Sequence, residues 1–278
     1  MRRPYSFSFN PIFDRMNFTP GAGPHPSGHA DGLAELDELL AEGVAIGDIL
    51  FELESGEEPI ENWLPERASV FIPENYEPRY AYPLIVWLHS EGSSERQLLD
   101  LMPQISDRNY IGVSIRGALP DPNSLPGQYR WGQTPAQCFA TANEIERVIR
   151  PIQERYHIHS SRIYLAGFGN GASMALQVAF SHPERFAGVA ALGGLWPKNF
   201  TPLTNYRELR ETRVLLGTGR NDTQTSVNSV SRAAHLLHAA GLQPVIREYN
   251  ASHDLTAEML TDVNHWVMSG ITSAYIVR

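Results

Sequence analysis

Three features in the second half of the chain have the residue types and the order for acid–base chemistry. Residues 167–171 read Gly-Phe-Gly-Asn-Gly and lie between an apolar run and a helical pattern. Asp222 and His253 follow, each in a polar turn behind an apolar run. A histidine that is oriented by a carboxylate can act as a general base. In a strand-to-helix turn of the form G-x-S-x-G, the central serine is a nucleophile, but the central residue here is Gly169.

The elements that must position these residues alternate between strand-like and helical patterns. Because helices of crossover length separate the strands, the pattern predicts an α/β fold, a mainly parallel twisted sheet with helices on both faces. A loop rich in Pro and Gly is expected at residues 118–132. Strands are predicted at residues 68–72, 84–88, 110–115, 163–166, 186–192, 214–217 and 245–249. Helices are predicted at residues 95–106, 134–157, 172–181, 225–240 and 255–268.

The chain is interpreted as one α/β domain, residues 68–278, behind an N-terminal extension. Residues 1–30 are rich in Pro, Gly and Ser and are expected to be irregular or disordered, because they cannot bury enough apolar surface to offset the entropy of ordering. Residues 31–67 are expected to hold a short helix at 31–42 and a first strand of the sheet at 46–53.

Composition excludes several classes of function. A net charge of −9 on 278 residues does not fit a nucleic-acid surface, which needs clustered Lys and Arg. Neither a run of about 18 apolar residues nor a secretory signal is recognisable, so we expect a cytoplasmic protein without a membrane span. The single cysteine, Cys138, excludes a cysteine-based zinc site and is expected to be an inert buried thiol. His25 and His29 are interpreted as loop residues, and no metal site is predicted.

The polar turns that follow the strands are expected to meet at one edge of the sheet. In parallel sheets, ligands bind at the carboxyl ends of the strands. Four such turns carry unusual residues, at 89–92, 167–171, 218–222 and 250–254. After the turn at residues 89–92, the chain reaches the glycine turn, then the acid and then the histidine. This is the order of Ser, Asp and His in hydrolases with this architecture.

At these positions the chain resembles the phospholipase/carboxylesterase and polyhydroxybutyrate-depolymerase-like esterases of the α/β-hydrolase superfamily. The resemblance spans roughly residues 68–268. It rests on YPLIVWLH at residues 82–89, LAGFGNGASMAL at 165–176, HPERFAG at 182–188, and REY at 247–249 leading to His253.

The resemblance implies a catalytic site that needs no cofactor and acts on an ester-like small molecule. Asp222 matches the acid of the family and His253 its base, although the neighbouring Asn221 is an alternative for the acid position. Asn170 would offer one backbone N–H to an oxyanion, and the loop with Ser90 and Glu91 would offer the other. His89, at the end of a buried strand, is interpreted as a structural hydrogen-bonding residue.

The sequence departs from this family at two positions. Gly169 stands where the family has serine, and Ser90-Glu91 stands in a loop that is normally rich in glycine. A carboxylate at Glu91 that points inward would oppose the negative charge that an oxyanion site stabilises. The sequence therefore predicts a catalytically impaired or non-catalytic homologue, a pseudoenzyme, that retains a ligand pocket.

Other interpretations remain open from the sequence alone. The chain could be an active carboxylic-ester hydrolase in which His253 and Asp222 activate a water or another nucleophile, such as Ser173. The glycine could also be an introduced substitution. A remote alternative is a dinucleotide-binding protein, since residues 167–172 match G-x-G-x-x-A. That fingerprint also needs an acidic residue at the end of the next strand, and residues 189–194 contain none.

Overall fold

The computed structural model describes residues 64–196 and 206–276. All of them belong to one compact unit, Pro59–Arg278. The predictions for residues 1–30, for the helix at 31–42 and for the strand at 46–53 lie outside the described residues.

Within the described part of the chain, seven strands form one sheet. They are β1 (Ala68–Phe71), β2 (Tyr82–Leu88), β3 (Ile111–Ile115), β6 (Ile158–Phe168), β7 (Gly188–Leu192), β8 (Arg213–Gly219) and β9 (Val245–Tyr249). Their order across the sheet is β1-β3-β2-β6-β7-β8-β9. Strand β1 pairs antiparallel with β3, and every other neighbouring pair is parallel. The carboxyl ends of the parallel strands therefore share one edge, as predicted.

Helices cover both faces of this sheet. Successive side chains of a strand point to opposite faces, and those of β2 divide in this way between two apolar clusters. The described helices are α1 (Gln97–Ile105), α2 (Pro135–Arg155), α3 (Asn170–Ser181), α4 (Tyr206–Leu209), α5 (Val227–Ala239) and α6 (Ala257–Ile276). Helices α2, α3 and α5 contribute to one cluster, and α1 and α6 to the other. The α/β prediction is confirmed.

The main differences from the predicted elements lie in and around irregular segments. The expected loop at residues 118–132 contains a two-stranded hairpin, β4 (Leu119–Pro120) and β5 (Tyr129–Arg130), whose short strands carry no period-2 apolar signal. Strand β6 begins five residues before the predicted start, because polar residues precede its buried half. The four-residue helix α4 was not predicted.

Helix α2 begins where its sequence specifies. The Thr134 hydroxyl accepts a hydrogen bond from the backbone N–H of Gln137, and the Gln137 side chain accepts one from the Thr134 N–H. Pro135 occupies the first helical position, where its missing N–H costs no hydrogen bond. This capping box satisfies two of the free N–H groups at the helix start.

Among the described residues, no helix is long and apolar enough to span a bilayer.

Replacement of Thr134 by alanine tests the capping box. We expect Thr134→Ala to lower the free energy of unfolding by about 1 kcal/mol, because the N–H of Gln137 loses its acceptor. Thr134→Ser keeps the hydroxyl and should stay close to the native value. Urea unfolding followed by circular dichroism measures both variants, and equal losses in the two would contradict the capping role.

Candidate active site

The turn between β6 and α3 is built around Gly169. This residue has φ +57° and ψ −119°, a conformation that L-residues seldom adopt and that glycine accepts without steric cost. Its N–H donates to the Leu192 carbonyl at 2.9 Å, and its carbonyl accepts from the N–H of Ser173 at 3.1 Å. The turn is thus bonded to the neighbouring strand on one side and to its own helix on the other.

The two outer glycines of the turn allow close packing against β2. A Cβ added at Gly167 would lie 2.7 Å from the Leu88 carbonyl oxygen, and one added at Gly171 would lie 2.2 Å from the same atom. No real Cβ tolerates such distances, so a side chain at either position would push helix α3 away from the sheet. Packing of the backbone therefore explains both glycines without a phosphate ligand.

His253 and Asp222 form a hydrogen-bonded pair beside this turn. The Nδ1–H of His253 donates to Oδ2 of Asp222 at 2.8 Å. The other carboxylate oxygen, Oδ1, accepts from the backbone N–H groups of Gln224 and Thr225 at 2.8 and 2.7 Å. With Nδ1 engaged by the carboxylate, Nε2 is left without a hydrogen-bond partner among the described residues. The alternative residue for the acid position, Asn221, is exposed, and it is Asp222 that bonds to the imidazole.

The free nitrogen of the imidazole faces Gly169. A Cβ built on Gly169 would lie 3.2 Å from Nε2 and 3.8 Å from Cε1 of His253, and apart from the chain neighbours Phe168 and Asn170 no other described residue comes within 4 Å. The Phe168 ring packs beside the imidazole, with 4.9 Å between ring centroids. The structure therefore brings together the turn, the acid and the histidine that the sequence placed in different loops.

The loop after β2 is held by Gln97, the first residue of α1. Its side-chain oxygen accepts from the N–H of Ser90 and from the indole N–H of Trp87, both at 3.0 Å. Its amide nitrogen donates to the Ser90 hydroxyl at 2.8 Å. Both the backbone and the side chain of Ser90 are thus bonded to Gln97, which accommodates a serine where a glycine was expected.

His89 has a structural role, as the sequence suggested. Its Nδ1–H donates to the Ser90 carbonyl at 2.8 Å, and its Nε2 accepts from the N–H of Gly117 at 2.9 Å. The residue is fully buried. Burial lowers the pKa of His89 below its ordinary value of 6.5, although the hydrogen bond to Ser90 opposes this shift. The ring is therefore neutral and cannot serve as a base, because both nitrogens are occupied.

Asn170 is fixed by the segment that follows β5. Its side-chain oxygen accepts from the N–H of Trp131 at 2.6 Å, and its carbonyl accepts from the Gln133 amide at 3.1 Å. Trp131 also donates its indole N–H to the His89 carbonyl. In the described part of the chain, the backbone N–H groups of Asn170 and Glu91 find no acceptor. Both residues line the cavity described below.

Glu91 borders the site as an exposed residue, so water screens its charge. One buried carboxylate of the neighbourhood is Glu95, which is paired with Arg116 at 2.8 Å. Burial opposes ionisation of Glu95, but hydrogen bonds from Arg116 and other favourable interactions outweigh it and lower the pKa of this carboxyl. In this pair, Arg116 neutralises the negative charge of Glu95 near the loop.

A cavity of about 1300 Å³ opens in front of these groups. It exceeds the roughly 300–1,000 Å³ that is typical of small-molecule sites. Both polar and aromatic side chains line it, so it suits a ligand with polar and apolar parts. Its lining includes Ser90, Glu91, Gln133, Cys138, Phe139, Phe168, Gly169, Asn170, Ser173, Gln177, Phe180, Trp196, Thr225, His253 and Leu255.

Cys138 lies at the wall of this cavity and is largely buried. Burial raises the pKa of its thiol, although a contact with Ser181 opposes the shift. A raised pKa keeps the thiol protonated and unreactive, in agreement with the expectation. The described residues contain no group of three or more His, Cys, Asp or Glu that could hold a metal ion.

Comparison with known proteins identifies the family of this chain. The family model for phospholipases and carboxylesterases matches residues 129–270, half of the chain. The chain belongs to this family. The matched segment contains Gly169, Asp222 and His253, and the α/β-hydrolase architecture that the sequence suggested is confirmed.

Relatives within and around the family are distant. Acyl-protein thioesterase 1 homolog 1 of Dictyostelium discoideum is 28% identical over 41% of this chain. The chain spans 57% of that relative's length. Two carboxylesterase structures share the fold at 20% identity. The Mesorhizobium loti protein has a TM-score of 0.58 and covers 68% of this chain and 90% of its own. The Bacillus cereus protein has a TM-score of 0.59, with 73% and 93% covered.

Two supporting residues escaped the sequence analysis. Thr225 is buried, donates its N–H to Asp222 and donates its hydroxyl to the Gly193 carbonyl at 2.8 Å. Its signal was the Asp-x-x-Thr spacing, which is typical of a side-chain-bonded turn. Gln97 gave no signal, because a polar residue at the start of a helix is compatible with many roles.

The buried neutral His89 predicts a pH dependence of stability. Its pKa in the folded chain lies below 6.5, so the unfolded chain binds more protons as the pH falls through that value. We expect the free energy of unfolding to decrease between about pH 7.5 and about pH 5.5, and this decrease to be smaller in His89→Asn. Urea unfolding at the two pH values measures it.

His182 shares the direction of this shift, mainly through burial, so His89→Asn should remove only part of the effect. His265→Asn, on the exposed face of α6, serves as the control and should retain the full decrease. A decrease of the same size in His89→Asn and His265→Asn would contradict the assignment.

Proposed function

We propose that this chain is a phospholipase/carboxylesterase-family protein that binds an acyl ester or thioester but lacks the serine that would cleave it. Gly169 carries the proposal: it occupies the centre of the strand-to-helix turn, and His253 is the one described residue, apart from its chain neighbours, within 4 Å of its missing Cβ. The names of the relatives, carboxylesterase and acyl-protein thioesterase homolog, give the ligand class.

The remaining groups have the roles that ester cleavage requires. His253 would be the base, and Asp222 would hold it in the tautomer with a free Nε2. The backbone N–H groups of Asn170 and Glu91 would receive the carbonyl oxygen of the ligand. Such preorganised donors are a large part of transition-state stabilisation in acyl transfer, and they would act in this site whether or not a nucleophile is present.

The second departure from the family pattern, Ser90-Glu91, should impair catalysis less than the first, Gly169. The Ser90 hydroxyl is engaged by Gln97, and Glu91 is exposed to solvent. A screened carboxylate at the rim opposes an oxyanion only weakly. We infer that the loop can still accept a carbonyl oxygen, and that the missing nucleophile is the main cause of impairment.

The expected loss of activity is large but incomplete. In serine proteases, removal of the nucleophile costs about 10⁶-fold in turnover. Binding and oxyanion stabilisation still leave roughly 10³–10⁴-fold catalysis over water. We therefore expect the chain to bind esters and to hydrolyse them slowly.

Two other nucleophiles could support a second candidate function, a working esterase. Ser173 is an unfavourable one, because its hydroxyl donates to the Gly169 carbonyl at 3.2 Å and accepts from the Leu195 N–H at 2.8 Å. A water beside Nε2 of His253 is better supported, since that nitrogen has no hydrogen-bond partner among the described residues and His253 lines the large cavity. This route predicts slow hydrolysis that disappears in His253→Ala.

Restoration of the serine tests the proposal. We expect Gly169→Ser to raise kcat/KM for p-nitrophenyl acetate and butyrate by at least about 10³-fold, because the base and the N–H donors are already in place. The positive φ at residue 169 should cost about 1–3 kcal/mol of stability. Release of p-nitrophenolate measures the gain.

A matched control is available at Gly127, which also has a positive φ (87°) and open space around it but is exposed in the β4–β5 hairpin. Gly127→Ser should leave turnover unchanged, and Gly169→Ser combined with His253→Gln should lose the gain. A folded Gly169→Ser protein without ester turnover would refute the retained-site proposal.

A further inference from the structure

The gap between Gly169 and the imidazole of His253 opens onto the large cavity, because both residues line it. A Cβ at residue 169 would touch only Nε2 and Cε1 of His253 among the described residues, apart from the chain neighbours of Gly169. At Gly171, by contrast, a Cβ would lie 2.2 Å from a backbone oxygen. The gap at Gly169 is narrow, since the Cβ would lie 3.2 Å from Nε2, and a small ligand group must enter it from the cavity.

The base beside this space does not depend on residue 169 for its position. Asp222 orients the imidazole through Nδ1, two backbone N–H groups hold Asp222, and Phe168 packs against the ring. A hydroxyl oxygen that enters this gap from the cavity would lie within hydrogen-bond reach of Nε2. A protic group from a ligand can thus meet the same base that a serine would have met.

We propose that a small primary alcohol occupies this space and accepts the acyl group, so that the site transfers acyl groups to an external hydroxyl. This inference rests on the proposed function, because the ester must bind in the same cavity. A volume of about 1300 Å³ holds an ester and a small alcohol together.

The reaction balances without any other reactant. The alcohol oxygen bonds to the ester carbonyl carbon while His253 Nε2 takes the hydroxyl proton. The N–H groups of Asn170 and Glu91 hold the oxyanion that forms. The bond to the leaving oxygen then breaks, the carbonyl re-forms, and the imidazolium returns the proton to the leaving group. The products are a new ester and the alcohol or phenol of the original ester.

The expected rate of acyl transfer follows from the fact that the nucleophile is not covalently attached to the chain. A nucleophile held in position is worth an effective concentration of roughly 10⁵–10⁸ M relative to a free one. Transfer to an external alcohol is therefore slow beside the turnover of Gly169→Ser. It should still depend on His253, because a positioned general base contributes roughly 10²–10⁴-fold.

Methanol is a suitable probe, because it matches a hydroxymethyl group in size. The native chain is incubated with p-nitrophenyl butyrate and increasing methanol, and methyl butyrate is quantified by mass spectrometry. We expect its formation to rise in proportion to methanol and to fall about 10²-fold in His253→Gln. His265→Gln, with its exposed side chain on α6, should behave as the native chain.

Two further arms test the location of the alcohol. Gly169→Ala fills the space with a methyl group and should abolish methyl butyrate formation. In the native chain, tert-butanol should give no ester, because the carbon that carries its hydroxyl is too bulky for the space beside Gly169. This second arm needs no variant and so does not depend on the folding of one.

The outcomes separate this inference from the proposed function. Ester turnover by Gly169→Ser, without protein-dependent methyl butyrate formation by the native chain, would overturn the inference and leave the proposed function standing. Equal methyl butyrate formation in native, His253→Gln and Gly169→Ala chains would overturn it as well. If Gly169→Ser folds but shows no ester turnover, and the native chain forms no methyl butyrate, both the inference and the proposed function would be overturned.

Discussion

The close approach of α3 to β2 is the constraint on which the site depends. Gly167 and Gly171 leave no room between the turn and the Leu88 carbonyl, so the chain must reverse within a few residues. The reversal gives Gly169 its positive φ and aims it at the cavity. Because backbone packing sets this geometry, it persists without any particular side chain at residue 169.

The histidine and its acid are supported independently of that turn. Asp222 is bonded to the backbone of its own loop, and Thr225 ties this loop to Gly193. Gln97 similarly holds the loop after β2. Each group of the site is therefore positioned by a separate part of the fold, so loss of one side chain leaves the others where they were. Such modular support would allow the proposed site to keep His253 and the N–H donors without a serine at residue 169.

The sequence predicted the architecture and the meeting of three loops, because parallel strands must end at one edge of a sheet. Apolar runs marked the strands, and chain order related the glycine turn, Asp222 and His253. The hairpin in residues 118–132 and the hydrogen bonds of Gln97 and Trp131 were not predictable. They depend on side-chain contacts between distant segments, which have no local period. The direction of Glu91 was equally open, since a loop residue can face either water or cavity.

Covalent labelling with a fluorophosphonate probe tests the central claim most directly, because the reagent reports an activated serine without the need for a known substrate. Native chain and Gly169→Ser chain are incubated side by side and analysed by intact mass and peptide mapping. The account predicts no adduct on the native chain and one adduct at residue 169 of the variant. An adduct at any serine of the native chain, or an unlabelled and folded variant, would contradict it.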